Sequence, residues 1–201
     1  MIQSSLLQFF GILLCGLGGV LLNIMPRPIA RLGGLIMLYI GGSVLLLNVC
    51  SFQMCAALFV CGIGAVVLIG SALRENTEAA SPRGTTREWF LLRLFLAAIL
   101  GLLAYTSNEL LRFWIPVRQT ILFIGLWIGL MGLASLTLDD MMLSRCICLQ
   151  SICLAFTICY VYLENSVLVF ASFAAINLLL AFCGSVLSMN STPEAHRETG
   201  S

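Results

Sequence analysis

Polar side chains that could bind or relay a solute are few in this sequence, and most lie in its last third. Residues 145–154 read RCICLQSICL, so Gln150 and Ser151 stand inside an apolar run. Thr157 follows in the same run, and Asn177 lies in the next. An amide or hydroxyl among apolar helices either bonds a neighbouring helix or lines a polar path. Both interpretations are open for these residues.

Groups suited to enzyme catalysis or metal binding are scarce. The carboxylates Glu109, Asp139, Asp140 and Glu164 fall in loops or at the edges of apolar runs, and the one histidine, His196, lies in the C-terminal tail. Most of the nine cysteines lie within apolar runs, where a thiol behaves as a small apolar group. We therefore expect no catalytic residue and no metal site. The net charge of +1 argues against a nucleic-acid partner.

The elements that position these residues are predicted to be transmembrane helices. The chain is 60% hydrophobic and 9% charged, whereas a soluble domain carries about 25% charged residues. Apolar runs of about 17 to 25 residues can cross a bilayer as helices. Seven are found, at about 6–24, 31–49, 52–73, 89–105, 120–138, 146–163 and 166–187. The sequence thus predicts an all-α integral membrane protein.

Polar connections divide the seven helices into a 3+1+3 arrangement. Residues 1–73 hold the first three helices, 74–118 hold a polar linker, helix 4 and an outer loop, and 119–188 hold the last three. The tail, 189–201, is polar and expected to be disordered. With the N-terminus out and the C-terminus in, eight of the ten arginines lie on the inner side, as the positive-inside rule requires.

Two of these arginines, Arg31 and Arg145, are interpreted as inner anchors at the start of helices 2 and 6. Arg93 lies close to the inner end of helix 4, where its long side chain can reach the membrane surface. A weak internal repeat accompanies this pattern, because four residues recur 114 positions later: Gly11, Gly18, Leu22 and Arg31 as Gly125, Gly132, Leu136 and Arg145. The repeat is parallel and not inverted.

The first three helices resemble those of the J-type membrane subunit of NADH:quinone oxidoreductase, respiratory complex I (mitochondrial subunit six). The resemblance is carried by MPRPIARLGGLIMLYIGGSVLLLN (25–48) and CAALFVCGIGAVVLIGSAL (55–73). It implies a π-bulge in helix 3 at Cys61, Gly62 and Gly64.

The last three helices resemble the small K-type subunit of the same complex (mitochondrial subunit four-L). The resemblance is carried by 125–154 and by SVLVFASFAAINLLLAFCGSVLS (166–188). In that family two intramembrane glutamates relay protons, and the matching positions here are Gln150 and Ala174. Neither glutamine nor alanine can titrate, so the resemblance implies that the usual route is broken, or runs through water and other subunits. Glu164 is the one carboxylate near this segment.

The resemblance as a whole implies a fused J/K subunit with a structural or coupling role beside a proton path. Such a subunit has no active site and binds no cofactor itself, while quinone and redox cofactors reside in partner subunits. Its partners are other membrane subunits and lipids, in a bacterial plasma membrane or mitochondrial inner membrane. The alternatives are component E of formate-hydrogenlyase-type hydrogenases, an independent small-solute channel or transporter, and a membrane assembly scaffold.

Overall fold

The computed structural model describes residues 2–25, 27–47, 49–75, 87–139, 141–164 and 166–190, and these form seven α-helices with no strand among them. The helices are α1 (Ile2–Ile24), α2 (Pro28–Leu46), α3 (Phe52–Glu75), α4 (Arg87–Leu111), α5 (Gln119–Leu138), α6 (Met142–Leu163) and α7 (Val167–Asn190). Each is long and apolar enough to cross a membrane. The prediction of an all-α integral membrane protein is confirmed. Most of the predicted linker, the tail, Asp140 and His196 lie outside the described residues.

Several helix boundaries differ from the prediction, and three of these differences bring polar side chains into a helix. Helix α2 begins at Pro28, because proline at the first helical position needs no hydrogen-bond acceptor for its nitrogen, and Arg31 therefore lies inside the helix. Helix α6 begins at Met142, so Arg145 also lies in a first turn. Helix α4 continues to Leu111, beyond the apolar run, and the Thr106 hydroxyl donates back to its own helix.

Small residues bring α1 and α2 into close contact. A Cβ atom built at Gly18 would lie 2.9 Å from the main-chain oxygen of Gly34, and one built at Gly34 would lie 3.0 Å from that of Gly18. The first separation is shorter than real Cβ contacts and the second leaves almost no room, so glycine is favoured at both positions. The two backbones pack directly against each other, as small residues permit in membrane helices.

The helices contact one another in a regular order. Helices α1, α2 and α3 pack in sequence, as do α5, α6 and α7, and α1 lies against α5, α2 against α6 and α3 against α7. Helix α4 packs on α5 and less extensively on α1. Only 17% of its span is buried, against 28% or more for each of the other six, so most of its surface is left to lipid or to a neighbouring protein.

Candidate functional site

A buried ion cluster joins four helix ends on one side of the bundle. Asp139 directly follows α5, and its Oδ1 accepts from Arg31 Nη2 at 2.9 Å and from Arg93 Nη2 at 3.1 Å. Arg31 Nη1 donates to Asp139 Oδ2 and to Ser144 Oγ, and Ser144 Oγ also lies 3.1 Å from Asp139 Oδ2. Both guanidinium groups are almost fully buried. One carboxylate thus connects α2, α4, α5 and α6.

The two arginines also cap the end of α1. Arg31 Nε donates to the main-chain oxygen of Met25 at 2.6 Å, and Arg93 Nη1 donates to that of Asn23 at 2.8 Å. Carbonyl groups at a helix C-terminus lack partners within the helix and carry partial negative charge. These contacts help to balance a second positive charge that Asp139 alone cannot neutralise.

Arg93 does not adopt the extended position that its place near a helix end would allow. Its side chain does not extend to the membrane surface but turns into the bundle, because Asp139 and the Asn23 carbonyl supply acceptors there. Arg31 is likewise an anchor between helices and is buried. Arg145 is exposed, and its Nε donates to the main-chain oxygen of Asp139 at 2.7 Å.

A weaker polar contact lies about one helical turn deeper than the ion cluster. Asn23 Nδ2 points to Met131 Sδ at 3.5 Å, and Ser135 Oγ lies 3.4 Å from Asn23 Oδ1. All three residues are buried between α1 and α5. The contact satisfies the Asn23 side chain without adding a charge.

Gln150 forms a second buried network near the middle of the bundle. Its Oε1 accepts from Tyr39 Oη at 2.8 Å, and its Nε2 donates to the main-chain oxygen of Asn177 at 2.5 Å. The side chain is fully buried, so Gln150 faces the interior of the bundle and not lipid. The amide connects α2, α6 and α7. Tyr39 was not expected in this network, because in sequence it is an aromatic residue in an apolar run.

Gly62 of α3 makes room for Tyr39. A Cβ atom built at Gly62 would overlap the Tyr39 ring, so this glycine lets the ring pack flat against α3. Where the resemblance implies a π-bulge at Cys61, Gly62 and Gly64, α3 is instead α-helical from Phe52 to Glu75. The glycine here serves close packing on an aromatic ring.

The other candidate residues do not join one site. Ser151 donates to the Cys148 oxygen of its own helix at 2.7 Å. Glu164 accepts from Tyr160 Oη at 2.7 Å on an exposed surface. It lies fourteen residues beyond Gln150, or about 20 Å along the helix. Asn177 contributes its main-chain oxygen to Gln150, while its buried Oδ1 has no hydrogen-bond partner among the described residues.

An apolar layer separates the two networks. Leu35 lies between Arg31 and Tyr39 on one face of α2, and Ile147 lies between Ser144 and Gln150 on one face of α6. Both apolar side chains are fully buried.

Within the described residues no group of three metal-ligating side chains is found. The geometry therefore suits helix coupling through hydrogen bonds and ion pairs.

Comparison with known proteins gives this chain no relative. It matches no family model, no curated protein and no solved structure.

Proposed function

We propose that the chain is a non-catalytic membrane subunit of a complex I-type oxidoreductase, with a structural or coupling role beside its proton path. The observation that carries the proposal is the position of Gln150. This residue replaces a glutamate of the K-type pattern, and its side chain is buried and bonded to α2 and α7. An amide keeps the hydrogen bonds of such a site but cannot carry a proton, which fits a subunit that holds helices in place.

The proposal includes the 3+1+3 arrangement with the N-terminus out and the C-terminus in. It is supported by the ion cluster, since the starts of α2, α4 and α6 meet the end of α5 at one end of the bundle. That end is the inner one by the arginine count. Ser51, exposed in the turn between α2 and α3, would then lie outside. A membrane-impermeant maleimide should label Ser51→Cys from the outer side of intact cells or mitoplasts, and labelling only after permeabilisation would reverse the orientation.

The exposed surface of α4 supports a place in a larger assembly. Its outward face carries large apolar side chains, among them Leu92, Phe95 and Leu102. In a membrane such a surface is covered by lipid or by neighbouring helices. Neighbouring subunits of a membrane arm would cover it with helices.

Co-migration tests the proposal directly. The tagged chain, expressed at its native level and solubilised in mild detergent, should migrate on native gels with NADH:quinone reductase activity. Gln150→Leu should reduce the amount of assembled complex, whereas Gln150→Glu should retain it, because a protonated glutamate preserves both hydrogen bonds. Migration with hydrogenase activity would favour the hydrogenase alternative. Migration of the chain outside every redox complex would overturn the proposal.

A small-solute transporter is the second candidate. The observation that favours it is the buried, unpaired Oδ1 of Asn177, which is an available acceptor beside the Gln150 network. Flux of small polar solutes into liposomes holding the purified chain, abolished by Asn177→Leu, would support this candidate. Asn177→Asp should alter the flux and preserve the fold. Liposomes without flux would exclude it.

A further inference from the structure

Helices α1–α3 and α5–α7, here the first unit and the second unit, repeat the same contacts 114 residues apart. Arg31 Nε donates to the Met25 oxygen at 2.6 Å, and Arg145 Nε donates to the Asp139 oxygen at 2.7 Å. The arginine and the acceptor residue of the second contact each lie 114 positions after those of the first. The first turn of α2 and the first turn of α6 are therefore built in the same way.

Helix packing within each unit follows the same register. A Cβ built at Gly18 would lie 2.9 Å from the Gly34 oxygen, and one built at Gly132 would lie 3.1 Å from the Cys148 oxygen. Gly34 and Cys148 are again 114 positions apart. The pair α1–α2 and the pair α5–α6 thus share one packing geometry, which the weak sequence repeat alone could not establish.

The two units pack face to back. Each helix contacts its own counterpart: α1 lies against α5, α2 against α6 and α3 against α7. A two-fold axis between the units would instead reverse the order and place α1 against α7. The relation is therefore close to a translation in the membrane plane, which makes the interface heterologous, with different surfaces on its two sides.

The first unit contributes glycines to this interface, and the second contributes large side chains. A Cβ built at Gly19 would lie 2.9 Å from Trp127 Nε1, and one built at Gly42 would lie 3.2 Å from Ile158 Cδ1. We call the surface around Gly19 and Gly42 the receiving face. The surface of the second unit that carries Trp127, Met131, Leu154 and Ile158 is the inserting face.

The counterpart of the receiving face on the second unit is open. Gly19 and Gly42 correspond to Leu133 and Phe156, which are 52% and 64% exposed. These side chains border an apolar groove of about 320 Å³ between α5 and α6, whose floor includes Gly129 and Ala155. A surface that is covered in the first unit is therefore uncovered in the second.

The counterpart of the inserting face on the first unit is open as well. Trp127 and Met131 correspond to Leu13 and Leu17, which are 42% and 49% exposed, whereas Met131 itself is fully buried. The further counterparts on α2, Ile40 and Val44, are apolar and partly exposed. One side of the bundle therefore presents an uncovered counterpart of the inserting face, on α1 and α2. Another side presents an uncovered counterpart of the receiving face, on α5 and α6.

We propose that a second copy of this chain docks its α1–α2 surface into the groove between α5 and α6, so that copies associate head to tail. Both units point the same way through the membrane, so the next copy would keep that orientation. The sizes of the facing side chains are balanced in both contacts. Within the chain the large Trp127 faces Gly19, and between copies the medium-sized Leu13 would face Leu133. Asp139 corresponds to Met25, so the contact between copies lacks the ion cluster and is apolar.

Cysteine crosslinking of purified chains in liposomes tests this proposal. Leu13→Cys and Leu133→Cys are prepared separately and together, and oxidised beside the wild-type chain, whose nine native cysteines set the background. A heterologous contact predicts a shift from 21.8 kDa to the dimer mass when the two single variants are mixed, but not with either alone. The double variant should give a ladder of larger species. Phe95→Cys on α4, mixed with Leu133→Cys, is the matched control and should remain monomeric.

Two results would overturn the proposal. A dimer from Leu133→Cys alone would show a two-fold contact, and a mixture with no dimer above background would leave the groove to lipid or to a different protein. Since both positions face outward, the variants should fold, which gel filtration verifies. The experiment needs no partner complex, so it fails or succeeds independently of the proposed membership of an oxidoreductase.

Discussion

Arg93 of α4 and Asp139 at the end of α5 form a buried salt bridge, with Nη2 3.1 Å from Oδ1. Helix α4 is otherwise the most exposed of the seven. This ion pair and the bond from Arg93 to the Asn23 oxygen therefore fix the first turns of α4 against α5 and α1. The stability of the bundle is therefore expected to depend on Asp139.

Asp139→Asn should destabilise the bundle strongly. The substitution leaves Arg31 and Arg93 buried without a carboxylate, and removing one partner of a buried ion pair costs about 3 kcal/mol or more. The measurement is the midpoint of thermal aggregation in detergent, followed by fluorescent gel filtration. Glu109→Gln is the matched control, because Glu109 pairs with Arg112 on the surface and such pairs contribute at most about 1 kcal/mol. Equal midpoints for the two variants would contradict the role of Asp139.

Tyr39→Phe should weaken the Gln150 network without disturbing packing. The change removes the donor to Gln150 Oε1, and hydrogen bonds between membrane helices contribute about 0.6 to 1.7 kcal/mol. The free energy of unfolding, measured by titration with sodium dodecyl sulfate, should fall by that amount. Tyr105→Phe on the exposed face of α4 should change it little. A Tyr39→Phe protein as stable as wild type would mean that the hydrogen bond from Tyr39 to Gln150 does not stabilise the bundle.

Gly62→Ala should lower the melting midpoint more than alanine at a glycine that has free space beside it. The added methyl group would overlap the Tyr39 ring, which is itself buried, so either α3 or the ring must shift. At Gly33 a Cβ would meet no other atom within 4 Å. Alanine there should be neutral or stabilising by up to about 1 kcal/mol, because it restricts the unfolded chain. In the same detergent, the melting midpoint of Gly62→Ala should lie clearly below that of Gly33→Ala.

Cys50 should react slowly with thiol reagents although it lies in a turn between two helices. Burial raises the pKa of its thiol, and the thiolate is the reactive species. Alkylation of the solubilised protein should therefore be slow at pH 7 and accelerate as the pH rises. Ser51→Cys, at the neighbouring exposed position, should add a fast-reacting thiol at pH 7. Equal rates at the two positions would contradict the burial of Cys50.

The helices could be predicted from the sequence, but the charged cluster could not. Apolar runs are local, so each of the seven spans was identified with errors of only a few residues at most ends. Asp139 lies 108 residues from Arg31 and 46 from Arg93 in the sequence. Their pairing depends on which helices become neighbours, which no local pattern encodes. The interior position of Gln150 agrees with the cost of an amide against lipid, whereas nothing in the sequence indicates Tyr39 as its partner.

The order of the ion cluster along the chain has a consequence for biosynthesis. Arg31 and Arg93 are synthesised 108 and 46 residues before Asp139, so both exist before their carboxylate has been made. An unpaired guanidinium is expensive in hydrocarbon. The starts of α2 and α4 must therefore wait at the aqueous surface until α5 is complete. Final insertion of these helix ends is a late step that depends on the last third of the polypeptide.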